Sequence, residues 1–285
     1  MRFAKGHGTE NDFVLLPDPD GTLDLTPARV AALCDRRRGL GADGVLRVVR
    51  WAALDGGPAP EPAVEWFMDY RNADGSVAEM CGNGVRVFAR YLAHAGWLPD
   101  GPDGELRIGT RGGVRRVRFA GADAMAGDVA VEMGPAVVGG SSAARVDGQV
   151  FAGIEVDVGN PHLACVTAVA LDSLDLAVAP RHDPALFPHG VNVEFVSPIA
   201  GSGPAEVAMR VHERGVGETP SCGTGTVAAV VAALRASGRD SGTVRVRTRG
   251  GRLRVTVEAG TTTLHGPAVL VAHGELARSW WTAQA

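Results

Sequence analysis

Lysine is almost missing from this chain: of 28 Lys and Arg residues only Lys5 is a lysine. A pyridoxal phosphate enzyme needs a lysine for its Schiff base. Lys5 lies on a strand-like segment far in sequence from any phosphate-type loop and does not supply one. The four cysteines, Cys34, Cys81, Cys165 and Cys222, form no C-x-x-C, which removes the common zinc and thioredoxin-like readings. The eight histidines show neither H-x-x-x-H nor H-E-x-x-H spacing, so no metal site is expected. There is no G-x-S-x-G elbow to anchor serine hydrolase chemistry. No apolar run approaches the roughly 20 residues that span a bilayer, and the first eight residues lack a signal-peptide apolar core, so a cytoplasmic location is expected. A net charge of −4 gives no support for binding to nucleic acid or a membrane surface.

What remains is an ordinary globular composition, 45% hydrophobic and 21% charged over 285 residues, enough for one large or two modest domains. The chain looks internally duplicated. Thr110-Arg111-Gly112-Gly113 recurs as Thr248-Arg249-Gly250-Gly251, each between strand-like runs, and both read as hairpin turns. Gly134-Pro135-Ala136-Val137-Val138 recurs as Gly266-Pro267-Ala268-Val269-Leu270. Residues 139–143, Gly-Gly-Ser-Ser-Ala, read as a linker between halves. The first half adds a helix over 27–38, with Thr26 as N-cap and Pro27 in its first turn. The expected class is two α/β or α+β domains, each a sheet around one long helix, with a cleft between them.

Two cysteines occupy matched settings: Glu79-Met80-Cys81-Gly82-Asn83-Gly84 and Pro220-Ser221-Cys222-Gly223-Thr224-Gly225. Each precedes an apolar run that reads as a helix, over 85–95 and 226–236. A thiol at a helix N-terminus meets the positive end of the macrodipole, which lowers its pKa into the range of about 3.5–7.5. A matched pair suits a reaction that takes a proton from one face of a carbon and returns one to the other. The same helix ends offer the backbone N–H groups of Gly82, Asn83, Gly223 and Thr224, which can hold a carboxylate and the charge it gains in that reaction. Cys34 and Cys165 sit in apolar stretches and read as inert core residues.

Other features have plainer readings. Residues 39–44 match G-x-G-x-x-G, but a helix precedes and a strand follows, the reverse of a dinucleotide site; Gly39 reads as a helix C-cap. Arg245, Arg247 and Arg249 alternate on what reads as a solvated sheet face. Glu213-Arg214, in a Gly-rich loop leading to Cys222, fits either a structural ion pair or a grip on a substrate's carboxylate and ammonium groups.

Together these residues resemble the diaminopimelate epimerase family, essentially from end to end. The segments that carry the likeness are 7–13 (His-Gly-Thr-Glu-Asn-Asp-Phe), 72–76 through 81–84, 159–162 (Gly-Asn-Pro-His), 192–195 (Asn-Val-Glu-Phe), and 213–215 through 222–225. The resemblance implies an α+β fold of two pseudo-symmetric domains, each a curved mixed β-sheet or barrel around a central helix. One domain would span 1–122, with 265–285 returning to it, and the other 123–264. It implies a cofactor-independent isomerase interconverting LL- and meso-2,6-diaminopimelate in lysine and peptidoglycan synthesis, with no cofactor and no metal. Cys81 and Cys222 would be the acid/base thiols. His162 and Glu213 would contact the reacting end, while Asn72, Asn160, Asn192 and Arg214 would grip the distal amino-acid head. Asn11 would line the pocket, and Gly82, Asn83, Gly223 and Thr224 would hold the α-carboxylate. Gly44 stands where some members carry a polar pocket residue, and Ser221 where alanine is common. The alternatives are a proline or hydroxyproline racemase, which typically carries histidine where Asn83 stands, and a thiol redox protein pairing Cys81 with Cys222. The partner is a small molecule, and the sequence leaves a homodimer open.

Overall fold

The computed structural model describes residues 1–98, 105–121, 123–199 and 204–284. In chain order the elements are β1 (Arg2–Gly8), β2 (Asn11–Pro17), α1 (Pro27–Cys34), β3 (Gly44–Arg50), β4 (Trp66–Asn72), α2 (Gly82–His94), β5 (Leu106–Gly109), β6 (Arg115–Phe119) and β7 (Val129–Gly134). There follow β8 (Val137–Val146), β9 (Gln149–Asp157), β10 (Pro161–Val166), β11 (Asn192–Val196), β12 (Glu206–Glu213), β13 (Gly217–Thr219) and α3 (Gly223–Ala236). The chain ends with β14 (Gly242–Thr248), β15 (Gly251–Glu258), β16 (Thr261–Gly266), β17 (Val269–Glu275) and α4 (Arg278–Thr282). It divides into two compact units, Met1–Val131 with Pro267–Ala285, and Glu132–Gly266. The boundary expected at 122 falls on a residue outside the described ones.

The first unit is a mixed sheet in the order β17-β1-β2-β3-β4-β5-β6-β7. Its successive pairings run antiparallel, antiparallel, parallel, antiparallel, parallel, antiparallel, antiparallel. The second unit, in the order β8-β9-β10-β11-β12-β14-β15-β16, repeats that series of directions. Each sheet carries one long helix, α2 in the first unit and α3 in the second. Gly82 through Leu92 of α2 and Gly223 through Leu234 of α3 are buried, as befits a helix covered on all sides. The two Thr-Arg-Gly-Gly segments form the β5–β6 and β14–β15 turns, and Arg245, Arg247 and Arg249 lie exposed. The C-terminal segment joins the first unit: Trp280 and Trp281 pack against the cluster of Val14, Leu16, Val30 and Leu33.

Some expectations are corrected. Residues 139–143 are no linker; they lie within β8, where 141–143 pair with β9 and 139–140 fall in an irregularity of the register. The first helix stops at Cys34, four residues short of its expected end. The Asp35 carboxylate accepts from the Arg37 and Arg38 N–H groups, both at 2.8 Å, and turns the chain out of the helix. Gly39 is therefore not the C-cap. It is glycine because a Cβ there would come within 2.0 Å of the Ala32 carbonyl oxygen. No helix among the described residues is long and apolar enough to cross a membrane.

Candidate active site

The first unit presents one thiol. Cys81 has extended backbone and is the N-cap of α2, its Sγ accepting from the Gly84 N–H at 3.4 Å. Asn11 holds it from the other side, its Oδ1 accepting from the Cys81 thiol at 3.6 Å and from Asn83 Nδ2 at 3.2 Å. Asn11 is fixed in turn by donating to Asp43 at 2.8 Å. It is aimed by a strained hairpin: Thr9 and Glu10, between β1 and β2, have φ of 52° and 64°. A two-residue turn of this hand prefers glycine or asparagine, and such strain clusters at functional positions. Asn72, at the end of β4, donates to Ser76 at 3.0 Å. Gly44 pairs with Asn72 across β3 and β4. A Cβ on Gly44 would meet the Arg71 carbonyl oxygen at 2.5 Å, so this backbone excludes a polar side chain at that place.

The second unit presents the other thiol in the same way. Cys222 is the N-cap of α3 and accepts from the Gly225 N–H at 3.4 Å, with the Thr224 hydroxyl at 3.6 Å. Ser221 is buried beside it. Glu213, at the end of β12, accepts from the Thr219 hydroxyl. Burial raises the Glu213 pKa, opposed by hydrogen bonds from Thr219 and Cys222. His162 is fully buried on β10, its Nδ1 at 2.7 Å from Glu194 Oε1 and its Nε2 at 3.0 Å from Asn160 Oδ1. Asn192 Oδ1 accepts from the Arg214 N–H at 2.9 Å. Arg214 itself is exposed and donates to the His189 carbonyl oxygen at 3.2 Å. The buried Glu213–Arg214 ion pair is therefore not formed, and the guanidinium stands in solvent.

The thiols do not share one electrostatic setting. Sequence reasoning from the helix end alone expects a lowered thiol pKa; at Cys222 the balance is reversed. Burial, then the charges of Glu213 and Glu194, push this thiol well above its ordinary value, and Thr224 and the Gly225 N–H offset only part. Beside Cys81 stands a cation instead: Arg86, one turn along α2, fully buried. Glu194, inside the 192–195 segment but given no role there, and Arg86 are the charged groups beside the thiols that the sequence did not assign. Their signal was a charged residue inside an apolar run, Glu194 between Val193 and Phe195 and Arg86 between Val85 and Val87. Cys34 and Cys165 are buried, and desolvation pushes their thiols up to about 11 and about 12, as suits inert core residues.

The family model described as diaminopimelate epimerase matches residues 3–139 and 154–275. The diaminopimelate epimerase of Rhodococcus erythropolis is 60% identical over 291 residues, covering 99% of this chain and 98% of that protein. That of Mycolicibacterium gilvum is 59% identical over 295 residues, covering all of both. The chain belongs to the diaminopimelate epimerase family. Among solved structures, a Bacillus anthracis phenazine biosynthesis protein of the PhzF family superposes with a TM-score of 0.71 at 14% identity, over 97% of this chain and 99% of that one. A probable proline racemase from Agrobacterium radiobacter gives 0.65 at 14% identity, over 97% and 93%. At such identities the likeness is one of fold, a mostly-strand mixed architecture with few helices.

Proposed function

We propose that this protein interconverts LL- and meso-2,6-diaminopimelate without a cofactor, with Cys81 and Cys222 as its two acid/base groups. The observation that carries the reading is the pair of thiols, each an N-cap of the one long helix of its unit. One sulfur, as thiolate, takes the proton from the α-carbon and becomes a thiol. The other, as thiol, gives its proton to the opposite face and becomes a thiolate. The electron pair left on carbon between these events spreads into the α-carboxylate. The N–H groups of Gly82, Asn83, Gly223 and Thr224, at the starts of the two helices, meet the charge that develops there.

The remaining residues position the substrate. His162 and Glu213 contact the reacting end, and Asn11 lines the pocket beside Cys81. Asn72, Asn160, Asn192 and Arg214 grip the distal amino-acid head. The exposed Arg214 guanidinium is available for bidentate pairing with a carboxylate, and energy gained there orients the carbon that reacts. Such an enzyme works on a small biosynthetic intermediate in the cytoplasm and calls on no nucleic acid or membrane. A homodimer is compatible with it and is read from sedimentation velocity.

The experiment is incubation of the reduced protein with LL-diaminopimelate, with no added cofactor, followed by NMR of the product. Formation of the meso isomer supports the reading. Inertness toward diaminopimelate with turnover of proline or hydroxyproline moves the protein to the racemase class.

A further inference from the structure

Glu194 lies outside every role assigned above, yet it is the most tightly enclosed carboxylate of the second unit. It and His162 are both 0% exposed. They stand on the adjacent parallel strands β11 and β10, where Ala164 lies opposite Glu194 and His162 opposite Asn192. The imidazole thus reaches diagonally to Glu194, at 2.7 Å from Nδ1. Its other nitrogen meets an amide oxygen, Asn160 Oδ1, at 3.0 Å. An amide oxygen only accepts, so Nε2 carries a proton.

Two observations set this apart from a structural ion pair. The second carboxylate oxygen, Oε2, is buried with no hydrogen-bond partner. A pair kept for stability alone closes such an oxygen with a donor, because leaving it open forfeits its hydration. The carboxylate also lies against the Cys222 end of α3. A Cβ built on Gly225 would stand 2.5 Å from Glu194 Oε1 and 3.3 Å from Cys222 Sγ, so one Cβ-sized space separates oxygen from sulfur. Glycine at 225 permits that approach.

We propose that Glu194 is a positioning residue for the epimerisation: it fixes the His162 imidazole with Nε2 protonated, and its charge keeps Cys222 a thiol until the reaction calls for its proton. The inference rests on the reading of Cys222 as an acid/base group. The titratable groups that face Cys222 from the strands packed on α3 are Glu213 on β12 and Glu194 on β11, with His162 on β10 paired to the latter. Cys165, also on β10, feels the Glu194 charge too. Both carboxylates act in one direction on Cys222, and burial strengthens each.

The test is E194Q, which keeps shape and hydrogen bonding and removes the charge. The readout is the pH dependence of iodoacetamide alkylation at Cys222, followed by peptide mass spectrometry, with Cys81 in the same samples as reference. The expected result is a fall of about one pH unit or more in the Cys222 midpoint with Cys81 unmoved. With it, kcat should fall by about tenfold or more while KM stays within about threefold. An unmoved Cys222 midpoint overturns the proposal. Should E194Q not fold, nitrogen-15 NMR of the unaltered protein decides: a protonated Nε2 on His162 from pH 6 to 9 is expected, and an unprotonated one overturns it. Alkylation needs no substrate. A protein that fails to epimerise diaminopimelate yet shows the midpoint shift would refute the substrate reading and leave the link between Glu194 and Cys222 standing.

Discussion

Arg86 donates to the Asn83 side-chain oxygen at 2.9 Å from a position with no solvent exposure, on the helix that Cys81 caps. Its other acceptors are the Gly82 and Pro267 carbonyl oxygens and the Thr9 hydroxyl, at 3.3–3.5 Å. No carboxylate among the described residues bonds to it. Burial lowers its pKa to about 10, and the charges of Cys81 and Asp128 oppose that fall. The thiolate of Cys81 is thus a natural counter-charge for this cation. Arg86→Met should slow alkylation of Cys81 at pH 7.5 several-fold and leave Cys222 unchanged. Loss of the charged hydrogen bond from Arg86 to Asn83 should also cost about 1–3 kcal/mol of stability, measured by urea unfolding. Unchanged Cys81 reactivity would separate Arg86 from the thiol.

At Gly44, introducing the polar side chain that some family members carry should fail. The new Cβ would stand 2.5 Å from the Arg71 carbonyl oxygen and 2.7 Å from the Tyr70 ring. Gly44→Gln is expected to destabilise the protein by about 1–3 kcal/mol through overpacking. By shifting β4 it should raise the KM for diaminopimelate through Asn72. Gain of affinity with intact stability would contradict this.

Alkaline pH should loosen the protein through its buried thiols. Cys34 and Cys165 are raised from 9.0 to about 11 and about 12, both first by desolvation, and Cys222 is raised as well. The unfolded chain therefore releases these protons at a lower pH than the folded one. Their contribution is fully present below the unfolded thiol value near pH 9. It is lost as pH rises toward the folded values, at about 1.4 kcal/mol per pH unit for each thiol in that window. Unfolding in reductant at pH 8, 9 and 10 should show the loss, and Cys165→Ala should show a shallower slope. Equal slopes would remove Cys165 from the account.

The two cysteine N-caps were legible in the sequence because their signals are local. Cys81 and Cys222 sit before glycines at the starts of apolar runs, and a helix end needs no distant partner to form. The hairpins at 110–113 and 248–251 follow from turn chemistry between strand-like runs. What escaped depends on partners far along the chain. The Glu194–His162 contact joins strands 32 positions apart. The raised Cys222 thiol depends on Glu213 and Glu194 folding against α3, which a dipole argument at one helix end does not contain. Residues 139–143 read as a linker by composition and became strand because β9 pairs with 138 and with 141–143. Thr9 and Glu10 lack the glycine that marks a left-handed turn, so the strain that aims Asn11 left no trace in the sequence.

The central claim is that two monoprotic thiols serve opposite faces of one carbon. It is tested most directly by following the reaction from LL-diaminopimelate in deuterium oxide at low conversion, with both isomers recovered and their α-deuterium measured. A thiol that has taken the substrate's proton can only return that same proton, while the partner thiol carries deuterium from solvent. Deuterium in the meso product and none in the recovered LL substrate is the result expected. Equal deuterium in both would mean that one exchanging base serves both faces, and would contradict the assignment of Cys81 and Cys222 as a pair.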